Sequence, residues 1–96
     1  MESITQTEKK CYLCGRNGNG DPLERHHCFG SSNRKHSEQD GLWVWLCGNK
    51  CHRNGSYSAH KNRMVNLAVK GAAQEAWEAT YGTREQFMQR YGRNWL

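Results

Sequence analysis

Four of the five cysteines fall in two close pairs, Cys11-x-x-Cys14-Gly15 and Cys47-Gly48-Asn49-Lys50-Cys51, with two and three residues between the thiols. Such spacing supplies four soft thiolate ligands in two knuckles, and it points to one structural Zn2+ held tetrahedrally by Cys11, Cys14, Cys47 and Cys51. A redox pair or disulfides are the competing readings. Against them stand the polar start, Met1 to Lys10, which has no apolar stretch of the secretory kind, and the lack of a βαβ pattern around the motif. A cytoplasmic, intracellular protein with reduced thiols is therefore expected. Cys28 belongs to neither pair and is expected to pack as a small core residue.

Histidines lie beside this frame. His26 and His27 are adjacent, and on a strand adjacent side chains face opposite sides, so the two rings have different jobs. His52 directly follows Cys51, and a zinc-bound Cys51 would hold it at a fixed place relative to the strands.

The order Cys-x-x-Cys, His-His, a strand running into Leu-Cys, then Cys-His, resembles the HNH endonuclease family, whose fold is the ββα-metal (His-Me finger) domain. The resemblance extends to a phage-type subgroup in four places. These are Glu24-Arg25-His26-His27-Cys28-Phe29-Gly30, Ser37-Glu38-x-x-Gly41-Leu42, Ala59-His60-x-Asn62 and the ending Tyr91-Gly92-Arg93-Asn94-Trp95-Leu96. It covers about residues 11 to 96 and hints at a viral or prophage role. It implies that His26 and His52 bind a catalytic divalent metal and that His27 is the general base. His60 becomes a third ligand if the Asn54-Gly55 turn folds it back toward His52; otherwise it is polar surface or a structural hydrogen-bonding group. The asparagine that many HNH nucleases place just before the second strand has no clear counterpart here, its position falling near Asp40 and Gly41. Asp40, or a backbone carbonyl between Gly30 and Asp40, is then the candidate for holding the His27 tautomer.

These groups suit phosphodiester hydrolysis, which needs charge neutralised and water activated. Imidazole titrates near ~6.5, so a neutral ring can take a proton from water at physiological pH. A metal on His26 and His52 would polarise the phosphate and stabilise the departing 3′-oxygen. The resemblance implies in-line attack leaving a 5′-phosphate and a 3′-hydroxyl, with Mg2+ or Mn2+ as the catalytic ion; imidazole ligands would also accept Zn2+ or Ni2+. Arg25, Arg34, Lys35, Lys50, Arg53, Lys61 and Arg63 bracket the site and are expected to grip phosphates, some of them merely solvating loops. Trp43 and Trp45 are expected in or against the core rather than stacking on bases.

The elements that must position these groups follow from local pattern. Leu23 to Phe29 and Leu42 to Leu46, the latter aromatic, β-branched and flanked by Gly41 and Gly48, read as two antiparallel strands. The polar stretch Gly30 to Asp40 between them reads as a long functional loop, and Gly15 to Pro22 as turn material. From Ala59 the residues Met64, Leu67, Ala68, Ala72, Ala76 and Ala79 give a helical apolar face, with Ser58 as N-cap, a bend or break at Gly71 and a stop at Gly82. Thr83 to Gln86 has capping-box spacing and opens a second helix with Phe87, Met88 and Tyr91 on its apolar side, ended by Gly92. Residues 1 to 9 read as a loose lead-in.

At 96 residues, 35% hydrophobic and 24% charged, the chain has room for one domain with a thin core, which is why a metal staple matters. Lys and Arg outnumber Asp and Glu 14 to 9, a balance that favours a polyanionic partner. No apolar run approaches the ~18 residues of a membrane span. The expected protein is thus an α+β, zinc-stapled ββα-metal domain with C-terminal helices, acting as a metal-dependent DNA endonuclease or nickase on double-stranded or branched DNA, as a monomer or weak homodimer. The rivals are a non-catalytic zinc-knuckle module that binds nucleic acid or protein, and an RNA-directed nuclease using the same site.

Overall fold

Strand β1 (Leu23–His27) and strand β2 (Trp43–Cys47) pair antiparallel, with Leu23 opposite Cys47 and His27 opposite Trp43, in a computed structural model that describes residues Met1–Leu96. The bounds differ slightly from the sequence pattern: β1 stops at His27 rather than Phe29, and β2 is shifted by one residue, running Trp43–Cys47 instead of Leu42–Leu46. The register sorts the side chains into two faces. Glu24, His26, Val44 and Leu46 share one, and Arg25, His27, Trp43 and Trp45 share the other.

The first face carries the core. Val44 and Leu46 pack with Cys28, Phe29, Leu42, Val69, Ala73, Trp77, Phe87 and Tyr91. Two helices supply the far side, α2 (Arg63–Thr80) and α3 (Arg84–Tyr91). Helix α2 begins later than its sequence pattern, capped by the Asn62 side chain accepting from Val65 N at 3.1 Å rather than by Ser58, which is buried. It passes through Gly71 without a break, and a Cβ there would touch Leu96 at 3.5 Å. Its buried stripe is Val69, Ala73 and Trp77, not the expected line through Met64 and Leu67; Met64 is 81% exposed. Burying valine and tryptophan removes more apolar area from water than burying alanines, so the helix turns by about one residue step. The capping box of α3 is present, Thr83 N donating to Gln86 Oε1 and Gln86 N to Thr83 Oγ1. Phe87 and Tyr91, one turn apart, are buried, whereas Met88 faces out.

The stretch expected as a loop is folded. A 3-10 turn at Ser31–Asn33 leads into helix α1 (Arg34–Asp40), which Gly41 ends in the left-handed region. No apolar periodicity marks α1 because its buried residues, Ser37 and Asp40, are polar. Ser37 ties both strand ends, its Oγ accepting from Phe29 N and its carbonyl from Leu42 N. Asp40 accepts from Trp77 Nε1 at 3.0 Å, from the Tyr91 hydroxyl at 2.8 Å and from the Arg90 guanidinium at 2.6 and 3.0 Å. Burial and then Asp40 push the Tyr91 hydroxyl up, so it remains a donor.

Residues 1 to 9, expected to be loose, lie along β2. The second edge of β2 has no strand partner, and its exposed backbone groups need others. Ile4 N donates to Gly41 O at 2.9 Å, Ser3 Oγ to Trp43 O, and Gln6 Oε1 accepts from Trp45 N at 2.8 Å; Trp43 Nε1 also donates to Met1 O. Trp43 is therefore buried away from the main core, beneath this segment and the Arg25 guanidinium 3.9 Å from its ring, and Trp45 is half-buried beside it. No helix is long and apolar enough to cross a membrane.

Replacing Asp40 by Ala is expected to lower the unfolding free energy by about 3 kcal/mol, because three donors in a water-poor site lose one acceptor. Urea unfolding followed by circular dichroism checks this, and a loss below about 0.5 kcal/mol would contradict the role.

Candidate metal centres

Cys11 and Cys14 lie on a tight turn closed by Gly15 N donating to Cys11 O at 2.8 Å. Cys47 ends β2, and Cys51 sits in the π-type turn Gly48–Arg53 that follows. That turn is pinned from outside: the Asp21 carboxylate accepts from Asn49 N and Lys50 N at 2.9 and 3.0 Å, and Gly48 N donates to Pro22 O at 2.9 Å. The Lys50 and Asn49 amides hold the Asp21 carboxyl below its usual range. Gly55 packs onto the Lys50 carbonyl so closely that any Cβ would clash with it.

The four sulfurs lie within 4.8 Å of one another, and Cys14 and Cys47 are 3.5 Å apart. That is far beyond the ~2.05 Å of a disulfide and close to the ~3.8 Å edge of a tetrahedron with ~2.3 Å Zn–S bonds. All the cysteines are free thiols, so the cluster could hold a metal such as zinc. Burial raises the Cys11 thiol, but the amides of Cys14, Cys47 and Leu13 outweigh it and bring it down to about 7. Burial, then hydrogen bonding to Cys14 and Cys11, pushes Cys47 up to about 12, and Cys51 is raised for the same reasons. One thiolate forms readily and its neighbours resist, which is the electrostatics of a site that a cation completes. Cys28 lies apart in the core, where burial pushes its thiol up to about 12.

A second cluster joins His26, His52 and His60, whose ligand atoms also lie within 4.8 Å of one another. Ring centroids are 5.2 Å apart for His26 and His52, 5.4 Å for His26 and His60, and 4.7 Å for His52 and His60. Each ring arrives by a different route. His26 projects from the core face of β1, and His52 comes with the Cys51 turn. His60 is folded back by Ala59 N donating to Cys51 O at 2.8 Å and His60 N to His52 O at 3.2 Å. The turn through Asn54 and Gly55 thus brings the third ring to the other two. His26 Nε2 is buried without a hydrogen-bond partner, a cost of about 1–3 kcal/mol that ligation would relieve. Burial, then the like charge of His52 and His60, lowers His26 to about 3, and burial and His52 lower His60 also; both rings offer neutral nitrogen.

Glu24, which the sequence reading passed over, orients this cluster. Its Oε1 accepts from His52 Nδ1 at 2.8 Å and from Arg53 Nε at 2.9 Å, and those two bonds, His52 first, hold its carboxyl low. An ionised carboxylate only accepts, so Nδ1 carries the proton and His52 Nε2 is left bare. The available signal was the i, i+2 spacing of Glu24 and His26, which share a strand face.

His27 is not part of the three-ring cluster. On the opposite face of β1 its Nε2 lies 3.0 Å from Glu38 Oε2, while Arg25 Nη1 donates to Glu38 Oε1 at 2.7 Å. Asp40, expected to orient His27, is instead committed to Trp77, Arg90 and Tyr91. Burial raises the Glu38 carboxyl, but the bonds from His27 and the charge of Arg25 prevail and lower it. His27 and Glu38 line an open concavity of about 510 Å3 together with Ser31, Arg34 and Lys35. Of the expected phosphate contacts, Arg34 and Lys35 line this concavity. Lys50, Lys61 and Arg63 are exposed near the turn and the start of α2, whereas Arg25 and Arg53 are paired with carboxylates.

Two outcomes are expected. Protein purified without chelator should carry one tightly held zinc per chain by elemental analysis, and Cys51→Ser should lose it together with cooperative thermal unfolding; retention of both would reject the thiolate site. Between about pH 3 and 6.5 an unfolded His26 binds a proton that the folded one refuses, so stability present above pH 6.5 falls as pH drops through that window. The unfolding midpoint should therefore decline from pH 7 to pH 5, and His26→Gln should flatten the decline.

Comparison of the chain with protein-family models, with curated proteins and with solved structures finds no match.

Proposed function

We propose that this chain is a metal-dependent nuclease of the HNH (ββα-metal) class that cuts DNA one strand at a time. The observation that carries the reading is a juxtaposition on one strand: His26 enters a cluster of three imidazoles, and its neighbour His27, held by Glu38, faces a basic concavity. Two further features support it. A thiolate cluster immobilises the residue before His52, and Arg34 and Lys35 stand where a phosphate would enter.

Arg34 and Lys35 bind the phosphodiester by charge, without reading sequence. His27 takes one proton of a water molecule, the water oxygen bonds phosphorus, and the P–O3′ bond breaks to leave a 5′-phosphate and a 3′-alkoxide, which takes a proton from solvent water to become the 3′-hydroxyl. His26, His52 and His60 would hold a divalent ion, which supplies charge neutralisation at the phosphate and the leaving oxygen. All three donors are nitrogen, whereas Mg2+ takes oxygen ligands, so this set fits Mn2+, Ni2+ or Zn2+ better than Mg2+. The zinc of the thiolate cluster is structural in this scheme, and a single site cleaves one strand per encounter.

Supercoiled plasmid incubated with the zinc-loaded protein and Mn2+ or Ni2+ should convert to open circles, more slowly with Mg2+. His27→Ala should slow nicking ~10²–10⁴-fold while both metals stay bound. Nicking that survives this substitution would reject His27 as base. Failure to cut any form of DNA would favour a zinc module that only binds, and RNA cut in preference would reassign the substrate.

A further inference from the structure

We propose that Glu38 is a positioning residue which, steadied by Arg25, fixes His27 as the tautomer protonated at Nε2 and leaves Nδ1 as the atom that accepts the proton of water. The assignment of Nδ1 to water rests on the nuclease reading; the assignment of the tautomer does not.

The geometry behind it is a chain of four side chains running over the outer face of the sheet. The Trp43 ring packs against the Arg25 guanidinium at 3.9 Å, Arg25 Nη1 donates to Glu38 Oε1 at 2.7 Å, and Glu38 Oε2 meets His27 Nε2 at 3.0 Å. Each oxygen of the carboxylate thus has one partner, and the two partners fix its plane. A glutamate is ionised at neutral pH and has no proton to give, so the hydrogen in the 3.0 Å contact lies on Nε2. Nδ1 then carries the ring's lone pair and lies on the side of the ring away from Nε2. His27 side-chain exposure is only 12%, so the ring has little freedom to flip, and the concavity it lines also holds Arg34 and Lys35.

The register explains why these residues meet. Arg25 and His27 stand two apart on β1 and share a face, Trp43 lies opposite His27, and α1 brings Glu38 over that face from the connection between the strands. A carboxylate that holds one imidazole nitrogen so that the other can act is a general device for presenting a histidine base. Arg25 accordingly serves the base rather than the DNA backbone.

Two measurements test this. Nitrogen-15 spectra of the zinc-loaded protein should show neutral His27 with an exchange-protected proton on Nε2. Glu38→Ala should abolish that protection, and Glu38→Gln, whose amide oxygen can still accept, should restore it. On plasmid, Glu38→Ala should slow nicking on the order of 10²-fold, Glu38→Gln should recover much of the rate, and adding Arg25→Ala to Glu38→Ala should cost little more. A wild-type spectrum with the proton on Nδ1, or with none protected at Nε2, overturns the proposal; so does full-rate nicking by Glu38→Ala. Should the wild-type protein show the Nε2 proton yet cut nothing, the tautomer assignment stands and the nuclease reading falls.

Discussion

The turn Gly48–Arg53 joins the two clusters, because Cys51 belongs to one and His52, its neighbour, to the other. Four thiols this close cannot all ionise unaided, as the opposed shifts of Cys11 and Cys47 express, and a shared cation removes the conflict. A metal on these sulfurs would therefore do more than staple a thin core. It would tie the turn to β2 and the Cys11–Cys14 loop, and with it the position of His52 and, through the Cys51 and His52 carbonyls, of His60. His52 and His60 are placed by the turn that carries Cys51, itself tied to Asp21 and Pro22, and His26 is placed by the sheet.

Strand alternation and two glutamates then divide the histidines by role. Glu24 sits between His52 and Arg53 on the core face, and Glu38 between His27 and Arg25 on the outer face. In each case an arginine helps to keep the carboxylate charged, and the carboxylate takes one ring proton. The nitrogens they occupy differ, Nδ1 in His52 and Nε2 in His27. The bare nitrogen of His52 faces a cluster of like donors, while that of His27 is free for another partner. This pairing withdraws Arg25 and Arg53 from any role as free phosphate contacts, so the available positive charge near His27 is that of Arg34 and Lys35.

What was readable in the sequence was what spacing encodes. The cysteine pairs, the two strands and the capping box at Thr83 follow from intervals of a few residues, whereas the shared neighbourhood of His26 and His52 was implied only by the family resemblance. Helix α1 was not readable because Ser37 and Asp40 do in it what leucines do elsewhere, binding backbone amides, an indole and a guanidinium instead of excluding water. The face of α2 was misplaced because its alanines are too small to compete with Val69 and Trp77 for the interior. Glu24 and Glu38 stand in the family-like motifs without an assigned role, and the pairing register and the path of α1 reveal what they touch. The lead-in from Met1 was illegible for another reason, since it is held through backbone groups and polar side chains that carry no apolar pattern.

The same features say where stability and chemistry compete. Only 22 of 96 residues are buried, yet six of those are polar or charged, and one of them, His26, keeps an unpaired nitrogen inside. A chain selected for stability alone would place a leucine there, opposite Val44, and gain apolar contact. The fold instead has strong polar interactions on either side of the sheet's connections: the cysteine cluster after β2, the Asp40 network at the end of α1 and the N-terminal segment along the free edge of β2. Rigidity is thus concentrated on the sheet that carries His26 and His27. A pair of imidazoles can be aimed at opposite sides of one short strand only if that strand cannot slip, because a shift of one residue would exchange their faces.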